Sequence, residues 1–147
     1  MKDFQEWHIL KNQLDIKEQS HLFNEKDIWW CSLGENIWYE QDGKNEQFER
    51  PVVILKKYNA EIFFWAPLTT STKDHPLRYP YKINDTEWSI NLTQCRTWSA
   101  KRLLRRMGRI SDTEMNHIYD LLSNDWMHKK AKAPNKSEQS RAPDGEK

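Results

Sequence analysis

The sequence has 147 residues, of which 37% are hydrophobic and 31% are charged, and its formal net charge is +1. That length fits one domain with short extensions and a substantial core. No run approaches the roughly 20 apolar residues that span a bilayer, and the polar first residues do not resemble a secretory signal. We therefore expect a cytoplasmic protein with no membrane partner. Only Cys31 and Cys95 are present, far apart, which predicts reduced thiols.

Basic residues are concentrated in one segment although the net charge is close to neutral. The stretch 96–109 has no acidic residue and contains Arg96, Lys101, Arg102, Arg105, Arg106 and Arg109. Such a patch either binds a polyanion or forms the solvated face of a helix. On charge alone, the solvated helix face is the simpler interpretation.

The first half of the chain predicts one helix followed by strands. A helix over residues 1–22 is predicted by apolar residues at intervals of three and four, namely Phe4, Trp7, Leu10 and Leu14. Strand formers then predict strands at 28–33, 51–55 and 61–66, with Gly34 ending the first of them. The connection over 34–49 is long and polar, a feature more typical of functional loops than of accidental ones.

The second half of the chain predicts two more strands and then two helices. Strands are expected at 77–83 and 88–94. Ser99 is a candidate cap for a short helix over 100–107 that Gly108 would end. A capping box at 111–114 opens a second helix, and the polar sequence after His128 predicts a disordered tail.

These elements predict a mainly β fold with helices, an α+β protein built on a small, strongly bent sheet or partly open barrel. It would carry one N-terminal helix and two C-terminal helices. We divide the chain into an N-terminal helical extension (1–25), a barrel domain (26–128) and a disordered tail (129–147).

Common catalytic layouts are absent from the sequence. It contains no glycine-rich phosphate loop, no nucleophile elbow and no paired His or Cys at metal-ligand spacing, so we expect neither a metal nor a cofactor. His75 is the one histidine placed in a predicted loop where it could act as an acid or base, and a surface histidine is the simpler interpretation.

Polar side chains instead gather at the ends of the predicted strands, where binding sites are commonly built. They are Glu40, Gln41, Arg50, Thr69, Thr70, Ser71, Gln94 and Arg96. Arg50 is either an ion-pair partner of Glu40 or Glu49, or a phosphate ligand. The residues alone slightly favour the ion-pair role for Arg50. For Thr69 they favour a structural role in which its hydroxyl forms a hydrogen bond with a backbone group.

Several short motifs, in this order, resemble the MazF/PemK family of toxins. They are DIWW at 27–30 with Gly34, EQDG at 40–43, ERPVVIL at 49–55, APLTTS at 66–71, QCRT at 94–97, and KRL at 101–103 followed by MGRI at 107–110. Each motif is short and weakly specific, but together they span most of the chain.

The resemblance implies a compact β-barrel related to SH3 folds, a homodimer, and an endoribonuclease restrained by a cognate antitoxin. It implies that Arg50 and Thr69 form the catalytic pair and that Glu40, Gln41 and Gln94 line an RNA groove. We expect further RNA contacts from Trp38, Tyr39, Thr70, Ser71, Arg96, Lys101 and Arg102.

The chain departs from the family pattern at Trp38 and Tyr39, where the family usually has a small residue before its Glu-Gln pair. The expected reaction is attack of the RNA 2′-hydroxyl on the adjacent phosphorus, which leaves a 2′,3′-cyclic phosphate and requires no metal. Two alternatives remain. One is a non-catalytic inhibitor on the same barrel, such as the CcdB toxins that bind DNA gyrase, and the other is an RNA-binding regulatory module. The motifs around Arg50 and Thr69 favour the nuclease.

Overall fold

A curled antiparallel sheet forms the centre of the protein in the computed structural model, which describes residues 1–71 and 73–131. Its strands are β1 (Asp27–Ser32), β2 (Glu49–Lys57), β3 (Ile62–Thr69), β4 (Arg78–Ile83), β5 (Thr86–Asn91), β6 (Arg96–Ser99) and β7 (Leu103–Arg109). The helices are α1 (Phe4–Ile16) and α2 (Asp112–Ala131), with 3₁₀ turns at Leu92–Gln94 and Ala100–Arg102. The predicted α+β architecture is confirmed.

Strand order in the sheet is β4-β5-β3-β2-β1-β7, and β6 also pairs with β3. The first half of β3 pairs with β6 and its end, Leu68 and Thr69, pairs with β5. One strand thus has two successive partners along the same edge, which requires the sheet to bend there. The change of partner falls between Trp65 and Leu68, just before Thr69 at the end of the strand.

Strand β2 is buried without interruption from Glu49 to Leu55. Val52 and Ile54 belong to one hydrophobic cluster together with Trp65. Val53 and Leu55 belong to a second cluster on the opposite face. Because successive side chains of a strand point to opposite faces, a continuous β-branched run is what burial on both faces requires.

Helix α2 covers the second of these faces. Met115, Ile118 and Leu122 pack into the cluster of Val53 and Leu55. The predicted capping box is present in part, because the Ser111 hydroxyl accepts a hydrogen bond from the Glu114 amide at 3.3 Å. The helix continues to Ala131. The first residues of the predicted tail are therefore helical, and its remainder, from 132 onward, lies outside the described residues.

The helix predicted over 100–107 is wrong. Ser99 does cap a turn, accepting from the Lys101 amide at 3.2 Å, but this 3₁₀ turn ends at Arg102 and β7 follows. Strand β7 pairs with the open edge of β1, and Leu103 is fully buried there. A long-range partner therefore overrides a local helix preference. The described chain has one C-terminal helix in place of the two predicted.

Helix α1 is shorter than predicted and ends at Ile16. Asp3 caps it by accepting from the Glu6 amide at 3.0 Å. Trp7 and Leu14 are its buried residues, whereas Phe4, expected on the same apolar stripe, is 51% exposed. Neither α1 nor α2 is long and apolar enough to cross a membrane, within the part of the chain that the structure describes.

Candidate functional site

Arg50 and Thr69 face each other across β2 and β3. The two strands are paired at Val52 and Pro67. Two residues further along the same register, Arg50 lies opposite Thr69, so their side chains share one face of the sheet. Each residue is only 7% exposed. Two residues that are 19 positions apart in sequence are therefore brought together by strand pairing.

The Arg50 guanidinium is held by uncharged acceptors. Its Nε donates to the Asp42 carbonyl at 2.6 Å and its Nη1 donates to the Leu68 carbonyl at 3.3 Å. The Gln41 amide, oriented with its oxygen toward Arg50, accepts from Nε at 3.2 Å and from Nη2 at 3.1 Å. A guanidinium has five N–H donors, so donors remain on Nη1 and Nη2 for another group.

Nearby carboxylates are paired with other cations. Glu49 accepts from Arg105 at 2.8 and 3.0 Å, Glu40 pairs with Arg96, and Asp42 pairs with Lys2 at 2.8 Å. Among the described residues, no carboxylate lies within ion-pair distance of Arg50. The ion pair considered from the sequence, between Arg50 and Glu40 or Glu49, is therefore wrong.

Burial lowers the pKa of Arg50, and the charge of Asp42 partly offsets that effect. An arginine nonetheless remains protonated at physiological pH. The site therefore contains a nearly buried positive charge without a direct counter-ion, a setting that favours an anion such as a phosphate.

The Thr69 hydroxyl is fixed by its own turn. Its Oγ1 accepts a hydrogen bond from the Ser71 amide at 3.2 Å, which is the backbone role considered from the sequence. Because the hydroxyl acts as an acceptor in that bond, its proton is still available for donation. Thr69 can therefore present a hydrogen-bond donor on the face that carries Arg50.

Gln94 holds the turn that contains Glu40 and Gln41. The backbone N–H of Gln41 donates to Gln94 Oε1 at 3.2 Å, and Gln94 Nε2 donates to the Tyr39 carbonyl at 3.4 Å. The hydrogen bond from Arg96 lowers the pKa of Glu40 and keeps that carboxyl charged. The structure thus brings these four predicted residues together beside Arg50, with Glu40 and Arg96 bonded to each other.

Trp38 and Tyr39 project from the same turn into solvent. They are 77% and 85% exposed, and their rings meet edge to face at 5.6 Å. The backbone of Trp38 has a φ of 50°, in the left-handed region that a bulky residue rarely adopts. An exposed aromatic pair beside a buried cation can stack on an unpaired base.

A groove of about 610 Å³ lies beyond Thr69. Its lining includes Thr70, Ser71, Arg78 and Trp88. Arg78 Nη1 has no hydrogen-bond partner among the described residues. The sequence prediction missed Arg78 because it falls inside a predicted strand, and only the pairing of β4 with β5 brings it to the groove.

Lys101 and Arg102 make their contacts elsewhere. Lys101 Nζ donates to the Asp15 carbonyl at 2.6 Å, at the end of α1. Arg102 stacks on Trp98 at 3.7 Å from the ring centroid and donates to the Ser32 carbonyl at 3.2 Å. Burial lowers the pKa of Arg102. Lys101 therefore fixes α1 to the sheet, whereas Arg102 shares the Trp98 ring with Arg96, which lies 5.9 Å from the same centroid and is bonded to Glu40.

Cys31 and Cys95 are free thiols, as expected from the sequence. Burial raises the pKa of each to about 12. Both sulfurs are therefore protonated at neutral pH, which makes them poor nucleophiles.

Residues 24–124 match the family model described as PemK-like, MazF-like toxin of type II toxin-antitoxin system. The chain is also similar to solved structures. The Mycobacterium tuberculosis toxin MazF-mt6 shares 17% identity at a TM-score of 0.53, over 68% of this chain and 95% of that one.

A structure named as an endoribonuclease from Mycobacterial species has 18% identity and a TM-score of 0.53, over 73% of this chain and 93% of that one. An endoribonuclease in complex with its cognate antitoxin, also from Mycobacterial species, has 18% identity and a TM-score of 0.55, over 77% of this chain and all of that one. Likeness at this identity establishes the fold. No curated protein matches the sequence.

Proposed function

Because the chain belongs to the PemK-like, MazF-like toxins of type II toxin-antitoxin systems, we propose that it is an endoribonuclease that cleaves single-stranded RNA. The observation that carries the proposal is the Arg50 guanidinium, which is nearly buried, held by uncharged acceptors and opposite the Thr69 hydroxyl. The names of two structural neighbours support the same class of activity.

The proposed reaction uses the nucleophile that RNA itself supplies. The 2′-hydroxyl oxygen bonds to the adjacent phosphorus, the bond from phosphorus to O5′ breaks, and the products are a 2′,3′-cyclic phosphate and a 5′-hydroxyl. Solvent water takes up the proton of the 2′-hydroxyl and supplies a proton to O5′, so the step balances. No metal is needed, because Arg50 offsets the charge that grows on the phosphoryl oxygens.

Arg50 and Thr69 have different tasks in this mechanism. Arg50 stays protonated, so it stabilises charge and does not act as a base. Thr69 donates its hydroxyl proton in a hydrogen bond to the same phosphate and holds it in register with Arg50. The bond from Ser71 orients that hydroxyl in advance, which lowers the cost of arranging it during the reaction.

RNA is proposed to bind along the turn and the groove on either side of the catalytic pair. Trp38 and Tyr39 stack on a base, and Thr70 and Ser71 contact the strand on the groove side. Glu40, Gln41, Gln94 and Arg96 shape the turn and contact the RNA between them. Lys101 and Arg102, which we expected to contact flanking phosphates, are proposed to reach RNA only if their contacts with α1 and Trp98 open.

We further propose that a cognate antitoxin restrains the enzyme and that the active species is a homodimer in the cytoplasm. The antitoxin part rests on the family and on the structural neighbour solved with its cognate antitoxin. An antitoxin that binds the exposed pair Trp38 and Tyr39 would also cover the site beside it.

One assay tests the activity. Purified protein is incubated with a long single-stranded RNA in excess EDTA, and the fragment ends are mapped. Discrete cuts that leave cyclic phosphate ends support the proposal. Intact RNA that is tightly bound would instead indicate an RNA-binding regulatory module, and intact RNA with no binding would leave a non-catalytic inhibitor of the gyrase-binding type.

A further inference from the structure

Helix α1 lies outside the residues matched by the family model, yet it packs against the loop that supports Arg50. That loop, residues 33–48, connects β1 and β2 and is called here the β1–β2 loop. It supplies the Asp42 carbonyl that accepts from Arg50 Nε. The position of the guanidinium therefore depends on the position of this loop.

Trp7 is the apolar anchor between the helix and the loop. Its ring lies 5.6 Å from the ring of Phe48, and the two residues form one buried cluster with Leu14. Gly34 has a φ of +88°, and a Cβ there would lie 2.2 Å from Trp7. The Phe48 carbonyl accepts from the Leu33 and Gly34 amides, so both ends of the loop meet at the Trp7 contact.

Lys2 is the polar anchor. Its Nζ lies 2.8 Å from Asp42 Oδ2 and also donates to the Asn36 carbonyl. The other oxygen of the same carboxylate accepts from the Asn36 amide. The Asp42 side chain is thereby held by the chain segment before α1, while the Asp42 carbonyl holds Arg50. One residue joins Lys2 to the catalytic arginine.

The helix is itself fixed to the sheet. The Arg102 guanidinium carbon lies 5.6 Å from the Trp7 ring centroid and also stacks on Trp98. Lys101 Nζ donates to the Asp15 carbonyl in the last turn of α1. Contacts at the middle and at the end of α1 thus keep it from sliding along the loop. A rigid support of this kind is what a site needs when small displacements reduce its rate.

We propose that α1 is a positioning element for the catalytic arginine, with Lys2 and Trp7 as positioning residues, an inference that rests on the proposed function. Lys2 and Trp7 hold the β1–β2 loop so that the Asp42 carbonyl keeps the Arg50 guanidinium opposite Thr69. The apolar pattern of the sequence predicted only an N-terminal helical extension and did not indicate this role.

The test compares Lys2→Gln with Lys2→Arg in single-turnover RNA cleavage. Lys2→Gln is expected to lower the single-turnover rate constant about three- to fivefold, the range of one partly exposed ion pair, with an unchanged half-saturating enzyme concentration and a thermal midpoint lowered by no more than a few degrees. Lys2→Arg is expected to restore the rate. Lys11→Gln, the same change at an exposed α1 lysine that makes no ion pair among the described residues, is the control.

A double-mutant cycle with Arg50→Ala identifies the route of the effect. If Lys2 acts through Arg50, Lys2→Gln has no further effect in the Arg50→Ala background. An equal loss in both backgrounds, or a Lys2→Gln variant as fast as wild type, would overturn the inference while wild-type cleavage upholds the proposed function.

Hydrogen exchange supplies a readout that does not depend on activity. Lys2→Gln and Trp7→Ala are each expected to increase amide exchange in the β1–β2 loop and to speed exchange of the Arg50 Nε–H, with Lys11→Gln unchanged. Wild-type exchange in Lys2→Gln would refute the positioning role. Absence of RNA cleavage by the wild-type protein would refute the proposed function by itself, and the exchange result would still decide whether α1 holds Arg50.

Discussion

At Arg50, a residue that is 7% exposed, three oxygen atoms without formal charge surround the guanidinium. Their geometry suits a planar fork that donates in several directions at once. A lysine has the same charge, but its three N–H donors share one nitrogen, whereas Arg50 donates to the Asp42 and Leu68 carbonyls from two separate nitrogens, Nε and Nη1. The shape of the side chain at position 50 therefore matters in addition to its charge.

Arg50→Lys is therefore expected to lower single-turnover cleavage by about 10²–10³-fold, the range for losing one oriented donor to a transition-state oxyanion. Arg109→Lys, on an arginine that is half exposed at the end of β7, is the matched control and should cleave normally. A wild-type rate for Arg50→Lys would mean that charge alone suffices at this position.

Two substitutions of Thr69 separate the effect of its hydroxyl from the effect of its side-chain shape. Thr69→Ser keeps an acceptor for the Ser71 amide and should cleave within a few-fold of wild type. Thr69→Val keeps the shape and removes the hydroxyl. It should slow cleavage about 10- to 100-fold, the equivalent of one hydrogen bond to a charged group. Equal rates for the two variants would remove Thr69 from the mechanism.

The order of short motifs implied that Arg50 and Thr69 form the catalytic pair, and that assignment stays a prediction. What holds Arg50 could not be predicted, because two of its acceptors are main-chain carbonyls and any residue provides one. The place of Arg78 beside the groove could not be predicted either, because it depends on strand pairing. The expected partner of Arg50, Glu40 or Glu49, was wrong because their own arginines, Arg96 and Arg105, lie far away in sequence.

Among the elements, those with a strong local signal were predicted correctly. The β-branched run of β2 and the Ser111 cap of α2 are two such elements. Strand β7 was predicted as a helix because Leu, Arg and Met favour helices locally. The free edge of β1, which β7 covers, is a long-range feature that no window of sequence contains. Likewise, the apolar stripe of α1 does not reveal which loop it covers.

The contact of α1 with the β1–β2 loop can be tested at two glycines. Gly34→Ala should destabilise the protein by about 1–3 kcal/mol, because its backbone has a positive φ and the new methyl group meets Trp7. Gly108→Ala is the control, since no atom lies within 4 Å of its added Cβ, and a change below about 0.5 kcal/mol is expected. Denaturant unfolding measures both. Equal losses would contradict the close α1 contact.

Glu49 joins β2 to β7 and makes the sheet sensitive to acid. Hydrogen bonds from Arg105 hold the pKa of this carboxyl below its ordinary value, against the effect of burial. A carboxyl whose pKa is depressed on folding stabilises the protein above its unfolded pKa, and that contribution is lost as the pH falls through the folded pKa.

The free energy of unfolding should therefore decrease as the pH falls below about 4.3, the ordinary glutamate range. Glu49→Gln should be less stable than wild type at pH 7 and should show a smaller decrease on acidification. Urea unfolding at pH 7, 5, 4 and 3 measures the difference. Parallel pH profiles for the two proteins would show that Glu49 is not the responsible group.

Across the whole molecule the formal net charge is only +1, so the attraction of an anionic strand depends on local cations such as Arg50. RNA binding should weaken as salt increases, with a log–log slope of about −0.7 for each phosphate neutralised on a single strand. Arg50→Ala should make the slope shallower by about 0.7, and Arg109→Ala should leave it unchanged. A slope that is the same for wild type and Arg50→Ala would mean that Arg50 does not contact a phosphate.

The main-chain acceptors of Arg50 also bear on how such a chain can change over evolution. The Asp42 and Leu68 carbonyls remain in place whichever side chains those positions carry, so substitutions around the arginine are tolerated as long as the backbone path is kept. A fold shared at 17–18% identity is compatible with such tolerance. Asp42 is the exception in this chain, because Lys2 binds its carboxylate. Substitution at position 42 is therefore coupled to the N-terminal helix. Asp42 and the N-terminal helical segment with Lys2 should be replaced together or both retained.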